Sequence, residues 1–437
     1  MDSPRVVITG LGAATPLGLT VSDTWAGLCA GRSGIDTITA FDPVGFSCKI
    51  AGQVPDYKIQ KFVPKTYRKA VKLMSRDIEL SVVAANEAVA HAGLITKATG
   101  PENINVNPER MAINLGAGLI SCDLVELAPA VAASVTDGKF DLRKWGKDGL
   151  EQVTPLWLLK YLPNMLACHV GILHDIQGPS NTITCAEASA HLAIAEATQV
   201  ITRGGSDIAL AGGTEAKVNP IVMIRQCLLK RATDKNNDEP ESACRPFDAD
   251  AKGSVFGEAA GVVILESLEN AQNRGAKIYA EIAGTGHSNN INPVYENVEP
   301  DGKGIEIAIR KAMAEAQIEP EALDLIVPHG TGIPADDLAE AKAIEAVLGE
   351  AAKEIPVWPT KSMLSNTGAA SGALDVVAAV CAMSENKIPA AKNFEIKADG
   401  CNLNINDKLR DRKIRYALCC SYTYGGQTAA LVLKQPD

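Results

Sequence analysis

A glutamate at a predicted strand-to-helix corner is the residue of this chain best placed to do chemistry. The polar, β-branched run 181–184 leads into Cys185 and Ala186, and an alanine-rich helix is predicted to follow Glu187. A corner of this kind holds one side chain at a helix N-terminus inside a pocket, where catalytic nucleophiles are found. The side chain predicted there is a carboxylate, which is better suited to general acid–base chemistry than to attack.

Two other polar residues lie at predicted corners. His329 closes the apolar strand 325–327 and begins a glycine-rich turn, and Asn366 opens a second corner five residues after Lys361. Strand ends border the clefts of α/β proteins, so a histidine there is a candidate catalytic group. The alternatives are a loop histidine without a role and an asparagine that only caps a helix.

Composition limits the function classes. The 437 residues carry a net charge of −10, which argues against a general nucleic-acid binder. The 11 cysteines form no CxxC pairs, so we expect reduced thiols with no disulfide framework and no metal site. There is no N-terminal signal pattern and no uncharged apolar run of 18 residues, which predicts a cytoplasmic protein without a membrane span.

Short β-rich runs alternate with longer helical ones, which predicts an α/β fold. The predicted strands are 6–10, 111–115, 208–211, 261–265, 325–327 and 417–421, and the predicted helices are 76–92, 189–203, 304–316 and 335–348. Both corners enter helices rich in glycine and alanine, which favours a duplicated architecture over two unrelated packing helices. We therefore predict two halves, 1–262 and 263–437, packed as one body.

Together these segments resemble the elongation-type β-ketoacyl-[acyl carrier protein] synthases, which are condensing enzymes of the thiolase fold. The shared motifs, in the family's order, are Val6-Val7-Ile8-Thr9-Gly10, Gly31-Arg32-Ser33-Gly34, Leu162-Pro163-Asn164-Met165, Gly178-Pro179-Ser180, Ala211-Gly212-Gly213-Thr214-Glu215, Arg245-Pro246-Phe247-Asp248, Gly257-Glu258-Ala259, His329-Gly330-Thr331, Lys361-Ser362-Met363 and Tyr422-Thr423-Tyr424-Gly425-Gly426. The resemblance implies a five-layered αβαβα fold with two pseudo-repeated halves. It also implies an acyl or malonyl substrate on the phosphopantetheine arm of acyl carrier protein, with no cofactor of the chain's own, in fatty-acid or polyketide-type biosynthesis.

The departures from the family concern its catalytic residues. Matched to this chain, the family's cysteine corresponds to Glu187, its first histidine to His329 and its second to Asn366, while its lysine is kept as Lys361. Cys185 is a poor replacement for the thiol because it lies in the strand that leads into the turn.

The binding motifs also differ. The family's His-Gly-Thr-x-Thr ends here in Ile333, so Thr331 keeps one of two hydroxyls expected along the pantetheine arm. Its Gly-Phe-Gly-Gly loop carries the bulkier Tyr424. The resemblance implies that the backbone N–H groups of Glu187 and Tyr424 form the oxyanion hole.

An acyl-glutamate would be a mixed anhydride that hydrolyses quickly, so ordinary condensation through Glu187 is disfavoured. A neutral Glu187 would imitate an acylated cysteine, as glutamine does in some relatives, and His329 and Asn366 would stabilise the enolate formed when malonate loses CO₂. An ionised Glu187 would repel malonate but would serve as a general base. Burial raises a carboxyl pKa by about 3–5 pH units, more than a helix N-terminus lowers it. We therefore expect a neutral or proton-sharing acid, with Lys361 engaged by Glu340.

The alternative is a catalytically silent partner subunit of the chain-length-factor type. Such a subunit needs neither His329 nor Lys361, whose presence favours malonyl decarboxylation without condensation. The family implies a homodimer, and a heterodimer with an active ketosynthase is the other possibility.

A basic segment is predicted to bind the carrier protein. Between residues 57 and 76 there is no acidic residue, and the basic ones are Lys58, Lys61, Lys65, Arg68, Lys69, Lys72 and Arg76. Acyl carrier proteins are acidic, so Lys65, Arg68 and Lys69 are the candidate docking residues. The alternative is an ordinary solvated face.

Overall fold

Eleven strands form one continuous mixed sheet in the computed structural model, which describes residues 4–290 and 298–436. The strands of the chain are β1 (Val6–Ala14), β2 (Ile35–Thr37), β3 (Ile50–Gly52), β4 (Met111–Ala117), β5 (Val135–Thr136), β6 (Lys139–Phe140), β7 (Ser180–Ile183), β8 (Ile208–Ala216), β9 (Glu258–Ser267), β10 (Ala280–Asn289), β11 (Leu325–Val327), β12 (Pro356–Val357), β13 (Lys387–Ile388), β14 (Asn404–Ile405), β15 (Arg410–Asp411), β16 (Tyr416–Tyr422) and β17 (Gln427–Lys434). The helices are α1 (Val21–Cys29), α2 (Arg76–His91), α3 (Leu124–Ala133), α4 (Leu142–Lys144), α5 (Met165–His174), α6 (Ser189–Thr202), α7 (Pro220–Leu228), α8 (Leu268–Asn273), α9 (Lys303–Ala316), α10 (Pro334–Leu348), α11 (Lys361–Leu364) and α12 (Ser371–Glu385).

The order of strands in this sheet repeats. It runs β7-β4-β8-β9-β1 through the first half and then β10-β17-β16-β11-β12-β14, with β1 antiparallel to β10 at the centre. With the additional edge strand β14 left aside, each half has five strands; numbered in chain order and read from the outer edge to the centre, both halves run third, second, fourth, fifth, first. A division between residues 262 and 263 would cut β9, so the repeat is better divided after that strand ends.

Helices pack against the sheet, and two of them are buried where the two halves meet. Helix α2 packs against β1 and β9, α9 packs against β10 and β17, and the buried helices α6 and α12 contact strands of both halves. This places α6 and α12 in the middle of an αβαβα arrangement. Among the described residues one helical stretch, Gly368–Glu385, is long and apolar enough to cross a membrane, but 83% of it is buried within the protein, as expected of a core helix.

Each half enters its central helix through the same corner. A single 3₁₀ turn, Ala186–Ala188 or Gly368–Ala370, precedes α6 or α12, and the first residue of each turn has a left-handed φ, 43° and 58° respectively. The serine that begins each helix accepts a hydrogen bond from the amide four residues earlier, at 2.8 Å for Ser189 and 3.2 Å for Ser371. These matching corners carry the candidate site.

Candidate active site

The strained residue of the first corner is Ala186. Its φ of 43° is a conformation that residues with a β-carbon rarely adopt. The sequence predicts Glu187 as the elbow residue, and the left-handed φ lies one residue earlier, on Ala186. Glu187 is the middle residue of the turn.

Glu187 nevertheless lies in the pocket. Only 4% of the residue is exposed, and together with Ala186 it lines a cavity of about 340 Å³. The turn is held from the second half by the Ser421 hydroxyl, which donates to the Glu187 carbonyl at 2.6 Å. The elbow therefore lies where the two halves meet.

A buried lysine that the sequence analysis did not identify occupies this cavity with Glu187. The Lys217 Nζ is 3.6 Å from Glu187 Oε1 and 3.1 Å from Glu215 Oε1, and all three side chains are at most 6% exposed. Burial lowers the pKa of the Lys217 ammonium, but the two carboxylates raise it by more. Two carboxylates therefore share one buried ammonium.

This ion pair decides the charge of Glu187. Burial raises the pKa of its carboxyl, but the charges of Lys217 and Arg231, together with hydrogen bonds from the Glu187 amide and the Thr423 hydroxyl, bring the pKa below its ordinary value. This direction is opposite to the neutral or proton-sharing acid expected from burial and the helix end, because that expectation did not include Lys217.

The backbone amide of Glu187 also favours its own carboxylate anion. That amide was predicted to be one donor of an oxyanion hole, with the backbone N–H of Tyr424 as the other. The same N–H cannot be fully available to a thioester oxygen while it stabilises the Glu187 side chain. The predicted oxyanion hole stays a prediction, and its first donor faces a competitor.

The second corner is connected to this ion pair. Glu215 Oε2 accepts a hydrogen bond from the Ala369 amide at 2.8 Å, and Asn366 Oδ1 accepts one from the Gly368 amide at 3.0 Å. The Asn366 side chain thus closes the turn before α12, which is the capping alternative, and its Nδ2 remains the end that can donate. The turn that Asn366 closes is therefore connected to Glu187 through Glu215 and Lys217.

His329 is buried and neutral. Burial, followed by the charge of Lys361 and those of neighbouring residues, lowers its pKa well below 6.5. Its ring packs edge-on against Tyr422 at 4.6 Å between centroids, and its Nδ1 has no hydrogen-bond partner among the described residues. His329 does not line the 340 Å³ cavity.

Lys361 has a different partner from the one expected. Its Nζ is 3.0 Å from Asp375 Oδ2 on α12, and both side chains are at most 2% exposed. Glu340 instead accepts hydrogen bonds from the amides of His329 and Gly330 at 2.7 and 2.8 Å. Glu340 is therefore a positioning residue for the His329 loop.

The predicted pantetheine contacts are engaged within the protein. The Thr331 hydroxyl donates to Asp337 Oδ1 at 3.1 Å and accepts from the Ile333 amide at 3.1 Å. Burial raises the pKa of the Cys185 thiol, in agreement with the expectation that it does not replace the missing nucleophile.

Two arginines hold Tyr424 across the cavity. Arg225 Nη2 donates to the tyrosine hydroxyl at 3.0 Å, and the Arg231 guanidinium lies 4.4 Å from the ring centroid. Arg231 is itself paired with Asp336 at 2.5 Å. Tyr424 is thus bound on its edge and on its face, which stabilises it at the cavity wall.

One signal could have identified Lys217. Residues two apart along a strand share a face, so Glu215, near the end of β8, and Lys217, just beyond it, are expected to point the same way. In the sequence, Glu215 is recognisable only as part of a shared motif. That this strand end faces the elbow is not visible there.

The basic segment is exposed apart from one member. Lys58, Lys61, Lys65, Arg68, Lys69 and Lys72 are solvent-exposed. Arg76 is instead partly buried and paired with Glu258 at 2.7 Å. The carrier-docking candidates Lys65, Arg68 and Lys69 therefore form one accessible cationic surface.

Comparisons with known proteins agree with the fold. The model of the β-ketoacyl synthase N-terminal domain matches residues 3–271, and that of the C-terminal domain matches residues 279–395. The chain is 34% identical to 3-oxoacyl-[acyl-carrier-protein] synthase 2 of Staphylococcus aureus strain COL, over 99% of each chain. It is 33% identical to the protein of the same name in Synechocystis, over 100% of this chain and 99% of the other.

Solved structures are similar over the whole chain. The ishigamide ketosynthase/chain length factor has a TM-score of 0.85 at 29% identity, covering 100% of each chain. A β-ketoacyl synthase from Burkholderia phymatum has a TM-score of 0.86 at 26% identity, covering 99% of this chain and 100% of the other. The predicted thiolase-like α/β fold is confirmed.

Proposed function

Because this chain belongs to the β-ketoacyl synthase family, whose members are acyltransferase enzymes of thiolase-like fold, we propose that it acts as the non-acylated subunit of a carrier-protein-dependent ketosynthase. In this function the acyl chain is carried by the cysteine of a partner subunit. The observation that carries the proposal is the elbow itself, where Ala186 and Glu187 line the cavity and Glu187 is held by Lys217. Neither residue can hold an acyl group as a stable thioester.

The chemistry of the ion pair supports this function. A carboxylate paired with an ammonium is a poor nucleophile, and an acyl-glutamate would be hydrolysed before a second substrate arrived. The similarity to a structure described as a ketosynthase/chain length factor adds support, because that description names a paired assembly. A buried network between the two corners gives such a subunit a rigid, unreactive centre.

The test compares the chain alone with the chain in the presence of a cysteine-bearing ketosynthase from the same organism. We expect the isolated chain to form no β-ketoacyl product from acyl- and malonyl-carrier protein, and to remain unmodified by intact-mass measurement. Native mass spectrometry should detect a one-to-one complex, and the complex should condense. Condensation by the isolated chain would overturn the proposal.

Malonyl decarboxylation is the second candidate, and a specific observation favours it. His329 is neutral and Asn366 keeps an amide donor, which is the pair needed to stabilise an enolate. The ionised Glu187 opposes this activity because it repels the malonyl carboxylate. The wild-type protein should therefore release CO₂ slowly.

Glu187→Gln is expected to raise CO₂ release from malonyl-carrier protein at least about tenfold, since removing one charge from a buried site changes the interaction by more than about 1.4 kcal/mol. Release is measured with carboxyl-labelled malonyl-carrier protein, with Glu196→Gln, a partly exposed position in the middle of α6, as the control. A wild-type rate that the variant does not exceed would contradict the electrostatic argument. Loss of release in Glu187→Gln would instead make Glu187 a participant.

We propose that the exposed cationic surface binds the acyl carrier protein. Replacing Lys65, Arg68 and Lys69 by glutamate is expected to weaken binding at least about tenfold at low salt, and less at high salt, where charges are screened. Binding is measured by surface plasmon resonance at two ionic strengths. The matched control reverses Lys397, Lys408 and Lys413, which are also exposed. Equal loss in both triple variants would leave only a net-charge effect.

A further inference from the structure

Ser365 has a backbone conformation that is almost confined to glycine. Its φ and ψ are 66° and 174°, and a residue with a β-carbon is strained there. The residue is 1% exposed, and its hydroxyl makes no hydrogen bond within the described part of the chain. Strain of this kind persists only where the surroundings impose it, and here it lies directly before Asn366 at the second corner.

The chain on either side of Ser365 is fixed by backbone hydrogen bonds. The Ser365 amide donates to the Lys361 carbonyl at 3.0 Å, which completes the short helix α11. The Asn366 amide donates to the Val255 carbonyl at 2.7 Å, and the Asn366 carbonyl accepts from the Gly257 amide at 3.0 Å. Ser365 therefore carries the change of direction between α11 and the strand-like pairing of Asn366.

Two glycines make room for the Ser365 hydroxyl. Gly52, at the end of β3, pairs with Gly257, and a β-carbon added to either would lie 2.3 or 2.1 Å from Ser365 Oγ, respectively. Both distances are well below van der Waals contact. The hydroxyl therefore fills the space beside the two glycine backbones as a steric wedge.

We propose that Ser365 is a positioning residue for Asn366, and that its strained backbone and wedged side chain hold the Asn366 amide group in one orientation. Asn366 Oδ1 accepts from the Gly368 amide at 3.0 Å, so the direction of its Nδ2 follows from the backbone at the corner. A glycine in place of Ser365 would adopt the same conformation without strain, but it would also populate others. A donor whose direction is fixed in advance is what stabilisation of an enolate requires.

This inference goes beyond the proposed function and does not depend on it. A non-acylated subunit and a decarboxylase would both contain the second corner, and the measurements use the isolated chain with no partner and no turnover. Failure of the chain to pair with a ketosynthase would leave their result unchanged. The two proposals therefore fail separately.

The first test observes the side-chain amide of Asn366 by NMR in protein that contains ¹⁵N-labelled asparagine, with the signal assigned by its absence in Asn366→Asp. We expect one sharp pair of signals in the wild-type protein and a broadened or divided pair in Ser365→Gly. The midpoint temperature of unfolding should be unchanged in that variant, or higher by about 1–2 °C, because the strain is relieved. A merely structural residue would not lose local order while stability is kept.

Asn386→Gly is the matched control. Asn386 also has a left-handed φ, 53°, but it follows the end of α12, away from the second corner in the chain. Its replacement should leave the Asn366 signals as they are in the wild-type protein.

The second test examines the fit of the hydroxyl beside the glycines. Gly52→Ala is expected to lower the midpoint temperature of unfolding by at least about 2 °C, because the new methyl group collides with Ser365 Oγ. Adding Ser365→Gly removes this collision, so the double variant should recover most of the loss.

Unchanged Asn366 signals in Ser365→Gly, the same broadening in Asn386→Gly, or a lower midpoint temperature in Ser365→Gly would overturn the proposal. A double variant as unstable as Gly52→Ala would show that the Ser365 hydroxyl does not occupy the space beside Gly52. The wedge, and with it the reason for a fixed Asn366, would then be lost.

Discussion

Lys217→Met is expected to lower the free energy of unfolding by about 3–5 kcal/mol, the range seen when one partner of a buried ion pair is removed. Lys217 is the cation shared by Glu187 and Glu215, at 3.6 and 3.1 Å, and none of the three is more than 6% exposed by side chain. Methionine fills much of the same volume but leaves two carboxylates without their cation. Urea unfolding at pH 7 measures the loss, with Lys230→Met at an exposed lysine as control.

The pH dependence separates this electrostatic loss from a packing defect. In the wild-type protein the pKa of Glu187 is depressed, so its stabilising contribution is present above its unfolded value, near 4.3, and is lost as pH falls through the folded value. Without Lys217, burial remains and raises the pKa of Glu187, so its ionisation becomes unfavourable as pH rises. The difference between wild type and Lys217→Met should therefore be largest at pH 7 and smaller near pH 4.5.

A triple variant tests whether the lost stability comes from the unpaired charges. Adding Glu187→Gln and Glu215→Gln to Lys217→Met removes the unpaired charges, so most of the lost stability should return. If the loss is the same at both pH values and the triple variant is no more stable than Lys217→Met, the defect lies in packing and not in charge. The ion pair would then not explain why Glu187 is ionised.

The fold could be predicted because it depends on many short motifs in a fixed order. The alternation of strands and helices indicated an α/β fold, and the similar sequence pattern at the two corners indicated a repeat. The structure shows this repeat in the matching 3₁₀ turns Ala186–Ala188 and Gly368–Ala370. Each of these features depends on a few consecutive residues, so it can be recognised from a short stretch of sequence.

The details of the site depend on distances that the sequence does not contain. Which of two buried acids pairs with Lys361 is decided by where α10 and α12 pack, and Asp375 lies within reach at 3.0 Å. The charge of Glu187 depends in the same way on a strand end from elsewhere in the sheet. The position of the left-handed φ at the elbow has another cause, since a turn that begins one position earlier looks the same in a run of small residues.

The elbow position gives the second large effect. Ala186→Cys is expected to create a thiol that is acylated by acyl-carrier protein, from none to about one acyl group per chain, whereas Glu187→Cys should remain unmodified. Ala186 already has the strained φ of 43° and lines the cavity, so the added sulfur enters open space with no new backbone cost. The nearby Lys217 ammonium and the first turn of α6 favour a thiolate there.

The measurement is peptide mass mapping of the elbow after incubation with acyl-carrier protein, in a Cys185→Ala background that removes the adjacent thiol. Acylation at position 187 and not at 186 would show that the residue next to the strained corner is the one presented, and would restore Glu187 as the counterpart of the family's cysteine. Acylation at 186 without condensation is the expected outcome, because Asn366 closes its own turn through Oδ1 and cannot act as a base. Adding Asn366→His to Ala186→Cys supplies that base, so condensation should appear only in the double variant.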